Sequence, residues 1–458
     1  MPELDLEDIQ GLILRGYRPM RRARHLLLQI DRRVAFQAVL RDLATEDRAS
    51  GPFVTVAADW TDKPPVGEPD HCVNVGLTYS GLQAVGVPSD SLQSFPEEFR
   101  LGAVERAADV GDTGASDPQN WIGPLNRDHH DKVHVVLSLF ARDTGGLDAL
   151  TSELRARIAR DRAARELLPW DAGALYDDEA RAGYVHFGYR DGLSQPTIEG
   201  APMAGTADPL DRVPAGEFVL GHPSQRAHHT YPVPTPARLG YNGSFAAFRI
   251  AEQDVWGFEQ FLTAQSDGTP AGRERLAAQL CGRWRNGVPL VVSPDSDAPI
   301  PSEELNMFDY ANVHPDPDGA RCPLGSHIRR ANPRLGRVMG GGGAKRRIIR
   351  RGMPYGPPYD PSHPDDRKAR GLVGMFICVS LLEQFEFVMS EWINDGIFAR
   401  GLGRTRDPLT GNNDPAGEFK APGTPPVHVT ALSSFVTTRG GAYCFLPSMN
   451  ALRHLATI

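Results

Sequence analysis

Cysteine is scarce, 5 in 458 residues, and Cys72, Cys281, Cys322, Cys378 and Cys444 form neither Cys-x-x-Cys nor Cys-x-x-Cys-His. That excludes zinc ribbons, redox dithiols and covalently attached c-type haem, and the odd count argues against a disulfide scaffold. Apolar runs long enough to cross a bilayer are absent as well. The N-terminus, Met1-Pro2-Glu3-Leu4-Asp5-Leu6-Glu7-Asp8, is acidic and carries neither an apolar h-region nor twin arginines. It does not read as a signal peptide, so the expected setting is reducing and cytoplasmic, away from membranes. Long like-charge tails are missing too: 49 basic residues face 57 acidic ones, for a net charge of −8. The densest basic run, Lys345-Arg346-Arg347 with Arg350 and Arg351, is interrupted by Ile348-Ile349. Those two residues read as a strand, which sends neighbouring arginines to opposite faces, and nucleic acid is not an expected partner.

Two common catalytic signatures are also missing. Gly340 to Gly343 precede Ala344-Lys345, but the spacing of a phosphate loop is not met and no hydroxyl residue follows the lysine, so a flexible loop is expected. No Gly-x-Ser-x-Gly elbow sits at a strand–helix junction, which removes serine hydrolase chemistry.

What is abundant is glycine and proline, 47 and 39 residues, in a chain that is 40% hydrophobic and 23% charged. Turns and long connections follow, arguing for an α+β fold over a helical bundle. The order strand–helix occurs twice in each half. The apolar run His25 to Ile30 precedes helical periodicity over Val34 to Leu43, and Val133 to Ala141 precedes Leu147 to Ile158. In the second half, Gly243 to Ile250 precedes Asp254 to Leu262, and Gly371 to Ser380 precedes Leu382 to Trp392. The simplest reading is a duplicated ferredoxin-like arrangement, divided into residues 1–205 and 206–458 around an irregular joint at Ala201 to Tyr241. Loops are expected over Met353 to Arg367 and Arg404 to Pro426, long enough to form lids or channel walls.

Three segments carry candidate chemistry. Gly188-Tyr189-Arg190-Asp191-Gly192 reads plainly as a tight turn after a strand at Tyr184 to Phe187. Yet His186, Arg190 and Asp191 crowd ionisable groups beside apolar residues, glycines on both sides let a flat ligand approach, and a carboxylate there can move protons. His327, in Cys322-Pro323-Leu324-Gly325-Ser326-His327-Ile328-Arg329-Arg330, is either a histidine at a basic helix end or a ligand for metal or haem iron. Arg350 is either a solvated strand end or, facing a pocket, a permanent cation for a developing oxyanion.

In this order along the chain, the three segments resemble the longer, loop-elaborated members of the dye-decolourising peroxidase family. Further matching stretches are Asp8 to Tyr17, His186 to Pro196 with its Gly-x-x-Asp-Gly signature, Asn242 to Phe245, Ile349 to Gly356, Gln384 to Phe387, and Gly440 to Ser448. The resemblance covers nearly the whole chain. It implies non-covalent haem b between the two sheets of a dimeric ferredoxin-like α+β fold, a monomer or homo-oligomer, with His327 as the iron ligand. Asp191 and Arg350 then lie on the peroxide-binding face, with Gly188 and Gly192 beside the cofactor and Arg329 or Arg330 on a propionate. Glu386, with Asp395 in reserve, is the expected carboxylate partner of the histidine.

The implied reaction consumes hydrogen peroxide through an oxyferryl state and oxidises dyes, phenols or other aromatic reductants, with Mn(II) an alternative donor. Trp392 and Tyr355 are candidate relays, each also readable as packing. Two departures bear on the pocket: Gly352 where some relatives have Ser or Asn, and Gly374 where relatives often have a bulky apolar residue. A haem-binding, haem-sensing or haem-processing protein with little turnover is the rival reading.

Overall fold

The computed structural model describes residues 3–45, 53–60, 69–201, 210, 212–226, 229–336, 338, 346–363, 366, 368–396, 398–403, 405–421 and 427–458. The run Gly340 to Gly343 with Lys345 lies outside them. In the first half, the apolar strand β1 (Arg22–Ile30) leads into helix α1 (Arg33–Leu43). Phe36, Val39, Leu40 and Leu43 recur at helical spacing on α1 and are all buried. Strands β2 (His71–Leu77) and β3 (Val135–Ala141) follow, then helix α2 (Thr144–Ala159) and strand β4 (Ala164–Gly173). Asp143 starts α2 by accepting the Gly146 amide at 2.8 Å.

The second half repeats the plan. Strand β5 (Ser244–Gln253) is followed by helices α3 (Val255–Gln265), capped by Asp254, and α4 (Pro270–Cys281), then by the short α5 (His327–Ala331). Strands β6 (Ile349–Tyr355) and β7 (Gly371–Cys378) come next. The segments Leu381–Glu386 and Val388–Ile393 wind as π-helix, before strand β8 (Val436–Leu446) and the closing helix α6 (Met449–Leu455).

The strand order is β4-β1-β3-β2-β8-β5-β7-β6. Each half is thus a four-stranded ferredoxin-like unit in which the fourth and third strands flank the first and the second lies at the far side. The halves share one rung, Leu77 with Phe445, so the two expected sheets run into one another. The free edges β4 and β6 also meet, where Trp170 and Tyr355 pack edge to face at 5.1 Å.

The pairings Tyr443–Ala247, Ala247–Phe376 and Phe376–Arg350 put those four residues on one face of the C-terminal sheet. Phe248, Met375 and Arg351 occupy the opposite face. Arg350 and Arg351 therefore diverge as their strand position requires, and Arg351 donates from Nε to the Leu12 carbonyl at 2.8 Å.

Several expectations need correction. The loop expected from Met353 begins at Gly356, because Met353 to Tyr355 belong to β6, an edge strand, where a sheet tolerates a proline such as Pro354. Tyr184 to Phe187 forms no strand; Tyr184 makes a single bridge to Arg190 around a turn. The helix expected at Leu382 to Trp392 is widened to π, with Gln384 Nε2 reaching the carbonyls of Arg347 (2.6 Å) and Glu217 (3.1 Å).

Candidate active site

His327 opens the five-residue helix α5, which is too short to hold itself. Its two arginines do that work. Arg329 is buried, donates to Asp316 Oδ2 (2.8 Å) and the Cys322 carbonyl (2.7 Å), and lies over the Tyr310 ring. Arg330 is buried and donates to the carbonyls of Gly325 (3.1 Å), Trp392 (2.7 Å), Asp395 (3.1 Å) and Thr405 (2.7 Å). Burial pulls its guanidinium down to about 10. The expectation that either arginine meets a propionate is therefore corrected: both are engaged in fixing the histidine-bearing turn.

The carboxylate on His327 is Asp407. His327 Nδ1 stands 3.0 Å from Asp407 Oδ2 and 3.2 Å from Oδ1. Asp407 is fully buried, and its Oδ1 also accepts the amides of Leu409 (2.9 Å) and Thr410 (2.8 Å) and the Thr410 hydroxyl (3.1 Å). Burial alone would push this carboxyl up; the His327 charge and these hydrogen bonds outweigh it and hold it below the ordinary carboxylate range. Asp407 accepts a hydrogen bond from His327 Nδ1–H, and in that tautomer Nε2 carries the lone pair. Among the described residues, Nε2 has no hydrogen-bond partner.

Glu386 does not serve the histidine. It is held by Arg106 (Nε to Oε1 3.0 Å, Nη2 to Oε2 2.6 Å) and by the Tyr443 hydroxyl (2.9 Å). Asp395 contributes its backbone carbonyl to Arg330. Sequence reasoning flagged the loop containing Asp407 without choosing the residue. The available signal was Asp407-Pro408-Leu409-Thr410, where an Asp caps the amides that follow it.

Asp191 and Arg350 meet: Arg350 Nη1 lies 3.2 Å from Asp191 Oδ1, and both side chains are 41% exposed, so the pair faces open space rather than the core. The surrounding protein strips some water from the Asp191 carboxyl and pushes it up even though it opens to that space, but the Arg350 charge, the Gly192 amide and the Arg350 hydrogen bond outweigh this and hold it below the ordinary range. The segment after the His327 helix and the Asp191 loop are tied together directly, Arg334 Nη2 donating to Ser194 Oγ at 2.9 Å. The loop carrying Asp191 is stitched to β6 at two points. His186 Nε2 donates to the Tyr355 carbonyl at 2.7 Å, and burial lowers that imidazole to about 4. Gln195 pairs with the Arg350 backbone like a short strand, its Oε1 accepting from the amide (3.2 Å) and its Nε2 donating to the carbonyl (3.0 Å).

Among the described residues, no group of three or more His, Cys, Asp or Glu side chains could hold a metal ion. One unpartnered imidazole nitrogen, together with an acid–cation pair, instead suits a planar group that brings its own four equatorial ligands, as haem does. The donor set fits.

No family model matches the chain. It is 30% identical over 412 residues to a multifunctional dye peroxidase of an Amycolatopsis species, covering 84% of this chain and 82% of that protein. The chain belongs to the dye-decolorizing peroxidase family. It is accordingly a hydrogen-peroxide oxidoreductase of a haem-dependent family. A dye-decolorizing peroxidase of Mycetinis scorodonius is 29% identical over 491 residues, with 99% of this chain and 88% of that protein covered. A solved dye-decolorizing peroxidase in complex with 2,6-dimethoxyphenol superposes with a TM-score of 0.82 at 27% identity, over 99% of this chain and all of that one.

Within this peroxidase, the two signature glycines differ in role. Gly192, at φ +75°, has open space where a side chain would be, as close approach of a flat ligand requires. Gly188, at φ +80°, lies instead against the tip of the Arg285 side chain, whose Nη1 would be 2.9 Å from a Cβ there. Gly374 pairs with Gly352 across β6 and β7, and a Cβ on Gly374 would sit 2.1 Å from the Arg351 carbonyl oxygen. The bulky residue that relatives often carry there has no room with the strands this close. Of the relay candidates, Trp392 is buried between Phe387 and Phe398, and Tyr355 is buried against Trp170.

Proposed function

We propose that this peroxidase holds haem b non-covalently through His327 Nε2 and reduces hydrogen peroxide on the side of Asp191 and Arg350. Dyes, phenols and other aromatic molecules are its reductants. The carrying observation is the Asp191–Arg350 ion pair in the same molecule as a histidine held through Nδ1 by Asp407. Bound there, haem would supply the redox chemistry, being oxidised by peroxide and re-reduced by one-electron donors.

The protein's part is proton and charge handling. Asp407 keeps His327 oriented and electron-rich. The Asp191 carboxylate takes the proton from one peroxide oxygen and returns it to the other as the bond between them breaks. Arg350 stabilises the negative charge on the departing oxygen, and its contact with Asp191 keeps that carboxylate in its basic form at acid pH. Gln195 fixes the register between the two. The phenol seen bound to a solved relative makes 2,6-dimethoxyphenol the reductant to try first. We place the protein in a reducing, cytoplasmic setting, a reading supported by five free, buried thiols.

An optical spectrum of the haem-loaded protein, before and after one equivalent of peroxide, tests the reading. A Soret band that is lost in His327→Ala and shifts quickly on mixing is expected. A stable band that ignores peroxide would indicate a haem carrier or sensor.

A further inference from the structure

The stretch that follows Asp191, from Gly192 to Gln195, lies in no helix and no sheet. A carboxylate that must hand on a proton needs firmer support than such a loop gives by itself, because small misplacements cost rate. Gln195 supplies part of that support through β6, and two side chains from outside the sheet supply more. Asn306 Nδ2 donates to the Leu193 carbonyl, and Arg334 Nη2 donates to Ser194 Oγ at 2.9 Å. Arg350 Nη2 lies 3.4 Å from the Ser194 carbonyl oxygen, so Ser194 sits between Arg334 and the arginine of the acid pair.

Asn306 and Arg334 belong to one tightly bonded unit. Asn306 Oδ1 accepts from Arg283 Nη2 (2.8 Å) and from Arg334 Nη2 (3.1 Å). Its amide therefore cannot turn over: the oxygen faces two guanidinium groups, which leaves the NH2 for Leu193. Arg334 Nη1 donates to the carbonyls of Asn306 (2.8 Å) and Phe308 (3.0 Å). Both arginines are buried against the buried Phe308 ring, Arg334 at 4.2 Å from its centre and Arg283 at 5.3 Å. The Arg334 backbone is left-handed, at φ +40°, an uncommon state that persists only where the surroundings dictate it. Here its carbonyl is held by the Tyr310 amide at 3.1 Å. The unit is also an extension of the histidine-bearing turn, since α5 ends at Ala331, three residues before Arg334.

We propose that Arg334, with Asn306, is a positioning residue for the peroxide reaction, setting the Asp191 carboxylate from the segment that carries His327. The inference rests on the peroxidase reading above. Neither residue meets peroxide; Asp191 moves the proton, and the buried pair decides where that carboxylate stands. The iron ligand and the acid are thereby placed by one piece of chain. A protein whose α5 is unseated loses a working acid along with its histidine.

Stopped-flow mixing of the haem-loaded protein with peroxide tests this in two variants. Ser194→Ala removes only the hydroxyl that Arg334 holds. Asn306→Asp keeps an acceptor for both arginines and sets a second acceptor against the Leu193 carbonyl. Each is expected to keep the wild-type Soret band and to react roughly 10- to 100-fold more slowly. Because both act through Asp191, adding either to Asp191→Asn should cost less than about twofold more. A residue that merely held the fold together would slow Asp191→Asn as much as it slows the wild type. Wild-type rates in both single variants, the full loss repeated on top of Asp191→Asn, or a lost Soret band in both overturns the proposal and leaves the peroxidase reading standing. A wild type inert to peroxide, or an Asp191→Asn protein as fast as the wild type, sinks that reading and the proposal with it.

Discussion

Replacing Asp407 by Asn preserves shape but reverses the instruction given to His327. Asp407 Oδ1 is fixed as an acceptor by the amides of Leu409 and Thr410 and the Thr410 hydroxyl. The carboxamide oxygen of Asn must occupy that position, which turns its NH2 toward His327 Nδ1, 3.0 Å from the present Oδ2. Two donors then face each other unless the imidazole proton moves to Nε2, the nitrogen needed for iron. The variant loses a charge-assisted hydrogen bond of about 1.5–3 kcal/mol. At about 1.4 kcal/mol per tenfold change, haem affinity falls roughly 10- to 100-fold. Titration of haem into the cofactor-free protein, followed at the Soret maximum, measures the change directly. Asp395→Asn is the comparison variant, since Asp395 reaches the site through its backbone carbonyl and its charge on Arg330, without a contact to His327. Wild-type affinity in Asp407→Asn, or an equal loss in Asp395→Asn, would refute the assignment.

Other outcomes follow from the same geometry. Asp191→Asn is expected to retain haem and to slow the reaction with peroxide by roughly 10²- to 10⁴-fold, the usual worth of a positioned acid–base group; an unchanged stopped-flow rate would move the proton elsewhere. Because the Asp191 carboxyl lies below the ordinary range, the peroxide reaction should persist as pH falls through that range and fail only beneath it. Arg350→Leu removes the largest influence holding Asp191 down, so the acid limb of the rate profile should move to higher pH; a limb that stays put contradicts the pairing. Gly374→Phe forces a side chain against the Arg351 carbonyl and should lower Tm by the equivalent of about 1–3 kcal/mol, so an unchanged thermal transition would show that the strands open freely.

The elements legible in the sequence were those whose apolar pattern is strong. Strand β3, buried along its whole length, and helix α1, with its buried stripe, both emerge from periodicity. Strand β4 did not, because it lies at a sheet edge, alternates only partly and contains Pro169. Strand β8 hides behind the pair Gly440-Gly441, which breaks its apolar pattern but lies within a ladder against β5. At the site, His327, Asp191 and Arg350 stood out through their order along the chain. Their partners did not: Asp407 is 80 residues from His327 and reaches it through a loop whose path no local pattern specifies. Glu386 misled for a related reason. Its segment resembles the family, but a side chain's direction on a π-helical turn cannot be inferred from α-helical spacing.

Arg330 draws together the backbone of Gly325, Trp392, Asp395 and Thr405, so the turn bearing His327, the proposed iron ligand, is closed by contacts spanning up to 75 residues. A chain emerging during synthesis therefore cannot present a finished ligand until residues beyond 405 have arrived and docked. Closing such long loops is entropically slow compared with winding α1 or pairing β1 with β3. Cofactor capture thus belongs to the last stage of assembly, when the C-terminal half already has its final shape. By the same logic, loosening that buckle releases the cofactor before either sheet comes apart.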